Sequence, residues 1–272
     1  MKEIDHKSLD SFLTTGLKAV ACGEEILQGL FGRQLKVMQK ETHYNLVTEA
    51  DLTCEKAIVK TIAAEFPTHN IFAEEHKYRQ TDSPFCWIID PLDGTSNFVH
   101  HIPHYAISVA LAYQNEVMVG IVADPAKAET FFAVKGGGAF LNERPITVSK
   151  ASTLNESLLI TGFYYERGTK LTQAMDLIES LLKMGIIDIR RFGAASLDLC
   201  YVACGRADGY FEYHLNSWDY AAGLLILAEA EGKITDYGGS PLTMLPSSVV
   251  GTNGLIHSKL LEVIAQNHLP FS

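Results

Sequence analysis

The chain has 272 residues and carries 22 Lys+Arg against 32 Asp+Glu, a net charge of −10 with histidine neutral. Its 47% hydrophobic and 20% charged residues are globular values, which exclude disorder and allow a large core that needs no staples. The acid excess argues against a nucleic-acid partner and against an anionic membrane surface, since both demand clustered Lys/Arg.

Acidic substrates stay open, because a bound metal reverses the local field. The five cysteines, Cys22, Cys54, Cys86, Cys200 and Cys204, are odd in number and scattered, as expected of reduced thiols in a cytoplasmic protein. Cys200 and Cys204 share a helix face but have no second Cys/His pair at finger spacing, so they read as small core residues. The opening MKEIDHKSLD has no apolar signal region, and the apolar runs fall short of the roughly 18 residues of a membrane span.

The elements follow in chain order. Leu9, Phe12, Leu13, Leu17, Val20, Ile26, Leu27 and Leu30 recur near every 3.6 residues and predict a first helix. Thr48-Glu49-Ala50-Asp51 resembles a capping box with Asp in fourth place. It opens a second helix with the stripe Ile58, Val59, Ile62 and Phe66, ended by Pro67. Strands are predicted at 70–73, 86–89, 104–113, 116–123 and 130–134, with Gln114-Asn115 as a hairpin turn and Lys135-Gly136-Gly137-Gly138 as another before Ala139-Phe140. Elements then alternate: strand 157–161, helix 171–184, strand 186–192 and helix 194–204 stopped by Gly205. Strand 209–213, helix 217–230, strands 233–236 and 249–252, and a closing helix 255–266 complete the chain. The pattern changes near residue 150. This predicts an α/β (α+β layered) architecture with halves at 1–150 and 151–272 forming one compact unit.

The strongest local signal is Trp87-Ile88-Ile89-Asp90-Pro91-Leu92-Asp93-Gly94-Thr95-Ser96-Asn97-Phe98. An apolar strand runs straight into two acids. Pro91 stiffens the backbone, and Gly94 permits a tight turn and close approach to a ligand. Thr95 is placed to cap a short helix whose first amides suit a phosphate. Two carboxylates beside an anion site call for a cation, and Mg²⁺ takes carboxylate, carbonyl and water oxygens while sharing itself with phosphate. Haloacid-dehalogenase phosphatases use an Asp-x-Asp loop; here two residues separate the acids and Pro follows the first.

Three further acidic positions are ambiguous alone. Glu74-Glu75 could be a solvated strand end. Asp219, in the first turn of a helix with Ser217 as the candidate cap, could serve only the helix dipole. Asp51 could serve only its capping box. His100, His101 and His104 read as a surface loop, and His76 as a solvated loop residue or a phosphate contact. Tyr164-Tyr165, in a Gly-flanked loop, offer a stacking face. Arg190-Arg191 could attract a second phosphate, but on a strand only one of them faces a given side.

Taken together, the acids and their surroundings resemble the inositol monophosphatase family of Mg²⁺-dependent, lithium-sensitive phosphatases. The matching stretches are Asn45–Asp51, Glu74-Glu75, Trp87–Phe98, Arg191-Phe192-Gly193-Ala194-Ala195-Ser196 and Trp218-Asp219-Tyr220-Ala221-Ala222-Gly223. They lie in family order and span essentially the whole chain. The resemblance implies alternating αβαβα layers with two sheets, as in sugar phosphatases, a cytoplasmic homodimer and a small phosphorylated substrate.

It also implies a site. Glu74, Asp90 and the carbonyl of Leu92 would hold a first Mg²⁺, Asp90, Asp93 and Asp219 a second, and Asp51 would assist a weaker third. Mn²⁺ could substitute and Li⁺ would inhibit. Glu74 and Thr95 would activate water, and the amides of Gly94 and Thr95 would bind phosphate. Glu212 would reach a substrate hydroxyl and Ala195 would lie against its ring, while Lys40 matches a lysine of the N-terminal loop. Inositol 1-phosphate is the leading substrate; NADP(H), fructose 1,6-bisphosphate, a nucleotide 3′-phosphate or a regulatory binding role are the alternatives. The family usually has Gly where Ala73 stands and where Glu231 stands.

Overall fold

The computed structural model describes residues 6–39, 46–163 and 168–267. Helices α1 (His6–Leu30) and α2 (Glu49–Glu65) pack side by side on one face of a seven-stranded sheet. A two-stranded ribbon of β1 (Val37–Gln39) and β2 (Leu46–Thr48) precedes α2. The large sheet runs in sequence order through β3 (Asn70–Ala73), β4 (Phe85–Asp93), β5 (Ala106–Tyr113), β6 (Glu116–Asp124), β7 (Glu129–Val134), β8 (Ala139–Leu141) and β9 (Arg144–Pro145). Only β3 and β4 are parallel within it; every other pair is antiparallel. A short helix α3 (Thr95–Val99) follows β4.

The second half builds a five-stranded sheet from β10 (Leu158–Thr161), β11 (Asp188–Arg190), β12 (Gly209–Leu215), β13 (Lys233–Thr235) and β14 (Ser247–Thr252), ordered β11-β10-β12-β14-β13. Helices α5 (Ala195–Ala203) and α6 (Ser217–Glu229) lie between the two sheets, while α4 (Thr169–Lys183) and α7 (His257–Gln266) cover the outer face of the second. The result is the layered helix-sheet-helix-sheet-helix stack expected from the sequence.

Side-chain alternation explains why the first sheet carries two cores. Trp87 and Ile89 of β4 and Ile107, Val109 and Leu111 of β5 join the cluster under α1 and α2. Ile88 of β4 and Ala106, Ala110 and Ala112 of β5 face α5 and α6. Bulky side chains thus meet the outer helices and small ones the inner helix, so α6 can lie close to the sheet. That approach carries the N-terminus of α6 to the carboxyl end of β4.

Most predicted elements appear with shifted ends. Gln114 and Asn115 both take positive φ, 49° and 66°, as a two-residue hairpin turn demands. The predicted strand 186–192 is shorter, because only Asp188–Arg190 pair with β10. The N-cap of α6 is Asn216 rather than Ser217, and the N-cap of α3 is Gly94 rather than Thr95. Strands β1, β2 and β9 are too short to show a period in sequence. Cys200 is buried in the inner core, and all five thiols are free. No described helix is long and apolar enough to cross a membrane.

Candidate active site

Asp90 and Asp93 stand three apart, so on a regular strand they would face opposite sides. The pairing of β4 with β5 slips between them: Asp90 pairs with Ser108 and Asp93 with Ala106, leaving one extra residue on β4. Pro91 has no amide to give the ladder, which suits it to this bulge. The bulge brings both carboxylates to one pocket of about 330 Å³. Asp90 Oδ1 accepts from the Leu92 amide at 3.0 Å. Gly94 then turns the chain with φ of 87°. A side chain there would also come within 3.2 Å of the backbone oxygens of His104 and Gly193, so glycine serves both conformation and space.

Two helix N-termini supply two more acids. Asp51 is the N3 residue of the capping box on α2: its Oδ2 accepts from the Thr48 amide at 2.8 Å and the Thr48 hydroxyl at 2.6 Å. Its Oδ1 accepts from Thr95 Oγ1 at 3.0 Å, and that hydroxyl also lies 3.0 Å from the Leu92 carbonyl. Asp219 is the N3 residue of the box on α6, and its Oδ2 accepts from the Asn216 amide at 2.7 Å. Capping and site geometry are therefore one fact: the cap fixes one oxygen of each acid.

Glu74 follows the last residue of β3, with its amide bonded to the Ile89 carbonyl at 3.1 Å. The turn after it is strapped down by Glu55, a fully buried acid on α2. Glu55 accepts from the Glu75 amide at 2.8 Å and the Tyr78 hydroxyl at 3.0 Å, and pairs with His76 Nδ1 at 2.7 Å. His76 is thus tied to a carboxylate rather than simply solvated.

Glu74, Leu92, Asp93, Gly94, Thr95 and Asp219 line the pocket with Asp90, and Ala195, Glu212, Arg191 and Asp198 line it from the second half. Burial raises the Asp90 carboxyl well above its ordinary range, and Glu74, Asp93 and Asp219 add repulsion. Asp219 is raised by burial, Glu74 and Asp93. Asp93 is raised by burial, although the Ser196 amide and hydroxyl donate to its Oδ2 at 2.8 and 2.6 Å and oppose the rise. Asp51 is pushed up to about 6, chiefly by burial. A cation among these acids would offset both the cost of their burial and their mutual repulsion.

Oxygen donors of this kind suit a hard divalent ion such as Mg²⁺ better than zinc or copper. Among the described residues no three Asp, Glu, His or Cys side chains are drawn around one point tightly enough to enclose an ion. That is compatible with Mg²⁺, which keeps several waters and uses few protein ligands together with substrate phosphate. Mutual repulsion also holds such acids apart when no cation is bound. The donor set therefore fits the ion.

The opposite wall has a different character. Glu212 on β12 accepts from the Tyr210 hydroxyl at 2.6 Å, and burial pushes it up to about 7. Arg191 lies over the Phe163 ring at 5.7 Å from its centroid, while Arg190 pairs with Asp188. Of the two arginines only Arg191, one residue past the end of β11, lines the pocket. His100 and His101 are exposed, but His104 is buried, which corrects the surface-loop reading. Its Nε2 stands 3.8 Å from Oδ1 of Asp198, and neither atom has a hydrogen-bond partner among the described residues.

The sequence reading does not single out Asp198, Ser196 or Glu55. Asp198 had a signal: it is the only charged residue of α5, whose residues are all buried, and buried acids seldom occur without a reason. Ser196 and Glu55 had none. Lys40, Asn45, Tyr164 and Tyr165 lie outside the described residues.

Comparison with known proteins places the chain in a family. The family model described as "Inositol monophosphatase family" matches residues 8–269. The chain is 42% identical to the inositol-1-monophosphatase of Synechocystis sp. over 94% of its own length and 90% of the relative's. It is 37% identical to the Nus factor SuhB of Pseudomonas aeruginosa, covering 96% of this chain and 98% of that one. The solved IMPase of Thermotoga maritima superposes with a TM-score of 0.87 at 36% identity, covering 94% and 98%. With a layered fold, a pocket of buried acids and a family match over nearly its whole length, the chain belongs to the inositol monophosphatase family and is a phosphoric monoester hydrolase.

Proposed function

We propose that the protein hydrolyses inositol 1-phosphate to inositol and phosphate in a Mg²⁺-dependent reaction. The observation that carries this is the convergence of Glu74, Asp90, Asp93 and Asp219 on one pocket whose far wall holds Glu212 and Ala195. Glu74, Asp90 and the Leu92 carbonyl would hold one Mg²⁺, Asp90, Asp93 and Asp219 a second, with Asp51 beside a weaker third. When bound, the ions neutralise phosphate oxygens, acidify water and stabilise the departing alkoxide.

The chain's own groups orient the reactants. The Thr95 hydroxyl has its proton committed to Asp51 and Leu92, which leaves its lone pairs to accept from the attacking water. Glu74 takes a proton from that water. The first amides of α3, at Gly94 and Thr95, have no intrahelical acceptor and would hold the phosphate. Glu212 accepts from a substrate hydroxyl, and Ala195 leaves room for its ring. Mn²⁺ would substitute, and Li⁺ would inhibit by replacing an ion at Asp93 and Asp219. A cytoplasmic homodimer, with residues 1–150 supplying most metal ligands and 151–272 completing the substrate site, belongs to the same reading.

The test is phosphate release from inositol 1-phosphate with and without Mg²⁺, using Asp93→Ala as the blank. Turnover with Mg²⁺ that vanishes in the variant supports the proposal; none with either protein refutes the substrate assignment. Arg191 on the pocket wall favours a second reading, in which a bisphosphorylated substrate such as fructose 1,6-bisphosphate or NADP(H) is hydrolysed. Inositol phosphate turnover unaffected by either competitor would count against it. The relative named Nus factor SuhB supports a regulatory role beside hydrolysis. Such a role could bring a nucleic-acid-bound partner despite the acidic surface, and a phenotype that survives Asp93→Ala would mark it.

A further inference from the structure

Glu212 is a carboxylate of the pocket held by a tyrosine. The Tyr210 hydroxyl donates to its Oε2 at 2.6 Å, and the Tyr210 side chain is fully buried, so this hydroxyl has no solvent to turn to. On the other side Glu212 rests on the backbone of Gly162. A Cβ added at Gly162 would fall 1.8 Å from Oε2, 2.2 Å from Cδ and 2.6 Å from Oε1 of Glu212. The carboxylate is thus wedged between a buried hydroxyl and a bare backbone position. One residue, Phe211, separates Tyr210 from Glu212 along β12, so both side chains leave the same face of the strand. One oxygen is occupied and the plane of the carboxylate is set, which leaves the other oxygen for a ligand.

We infer that Tyr210 and Gly162 are positioning residues that aim Glu212 at a hydroxyl of the substrate's alcohol moiety, so that discrimination between polyol and hydroxyl-free phosphate esters depends on them. The inference rests on the reading that Glu212 touches substrate. The physics is ordinary: a long acidic side chain has several rotamers, and fixing one beforehand removes an ordering cost that binding would otherwise carry. An unheld Glu212 still accepts a hydrogen bond but must first be ordered, so the loss falls on KM for esters that carry the hydroxyl.

The experiment compares kcat/KM for inositol 1-phosphate with that for 4-nitrophenyl phosphate, which has no hydroxyl to offer, using the full chain with Mg²⁺. The readout is the ratio of the two values, which cancels general damage to the metal site or the fold. Tyr210→Phe is expected to lower the ratio about 10-fold, mainly through KM, the usual size for a lost hydrogen bond to a charged group. Gly162→Ala, which displaces the carboxylate from its other side, is expected to lower it comparably and serves where Tyr210→Phe folds poorly. Glu212→Ala lowers the ratio as well, and Tyr210→Phe added to Glu212→Ala lowers it no further, since residues that act as a unit are not additive.

An unchanged ratio in both Tyr210→Phe and Gly162→Ala, with both substrates falling together, would show that these residues are merely structural. A double variant whose loss is the product of the single losses would also overturn the inference. If Glu212→Ala itself leaves the ratio unchanged, Glu212 does not touch the substrate, and the underlying reading fails along with the inference.

Discussion

The wall contributed by the first sheet presents Glu74, Asp90 and Asp93, each buried or tied to a strand end, while Asp51 lies buried on the α2 cap, outside the pocket lining, and accepts from the Thr95 hydroxyl. The wall contributed by the second sheet and α5 presents two carboxylates, Glu212, fixed by a tyrosine, and Asp198, whose Oδ1 has no hydrogen-bond partner among the described residues, with Arg191 and the small Ala195 beside them. Asp219 belongs to the first group chemically, although α6 carries it from the second half. Burial and neighbouring acids raise Asp90 and Asp219, and burial raises Asp93 and Asp51 against the hydrogen bonds they accept. Glu212 is raised by burial, while Tyr210 and Arg191 oppose the rise. The first wall therefore sets acid against acid, whereas Glu212 on the second is held by a hydrogen bond within the chain. In the proposed reading the first wall takes a metal and a phosphate and the second an alcohol, so substrate preference would rest on a wall separate from most of the proposed metal ligands.

The largest expected effect breaks the first wall. Asp93→Asn should reduce Mg²⁺-dependent phosphate release by about 1,000-fold or more, because it removes a charge that the reaction needs. Steady-state turnover of inositol 1-phosphate measures it, and retention of more than a tenth of the rate would refute the assignment of Asp93.

The stress on the first wall should also appear in stability. Asp90, Asp93 and Asp219 have folded pKa values above their unfolded ones. The folded state then holds more protons between the two, and metal-free stability declines as pH rises from about 4 through the raised values. Mg²⁺ should reverse that decline. At 100 times its dissociation constant it adds about 2.7 kcal/mol, or several degrees in Tm for a chain of this size. Thermal unfolding with chelator and with Mg²⁺, at pH 5 and pH 8, is the measurement. A metal-induced shift that is no larger at pH 8 would refute the account.

Away from the pocket the sign is opposite. His257 is buried between the hydroxyls of Thr235 and Thr252, each 3.0 Å from a ring nitrogen. Burial lowers its pKa to about 4. As pH falls from 6.5 toward that value, the unfolded histidine takes up a proton that the folded one refuses, so stability is lost. Denaturant unfolding at pH 7 and 4.5 should show a smaller acid loss in His257→Asn than in the parent. Smallest of all, Thr48→Ala should cost about 1 kcal/mol of stability through the α2 cap. Because the Thr48 hydroxyl also donates to Asp51, activity should fall further than stability alone explains. Parallel urea titration and turnover would show whether cap and site are joined.

The sequence alone determined which segments become helices and strands where periods are long enough to see: α1, α2, β4 to β7 and α6 all announce themselves in the spacing of apolar residues. It also determined the acids, because a strand that ends in Asp90-Pro91-Leu92-Asp93-Gly94-Thr95 has few purely structural explanations. Three-residue strands such as β1 and β2 were illegible, since a period cannot show in so short a run.

What only the tertiary structure decided concerns distance across the chain. Glu55 meets Glu75 at a separation of 20 residues and Ser196 meets Asp93 at 103, and no local pattern encodes such pairs. The β4 bulge that turns Asp90 and Asp93 the same way depends on register with β5. The support of Glu212 by Gly162 depends on β10 lying parallel to β12. Local propensity acts through neighbours in sequence, whereas a site is closed by packing, and packing is a property of the whole chain.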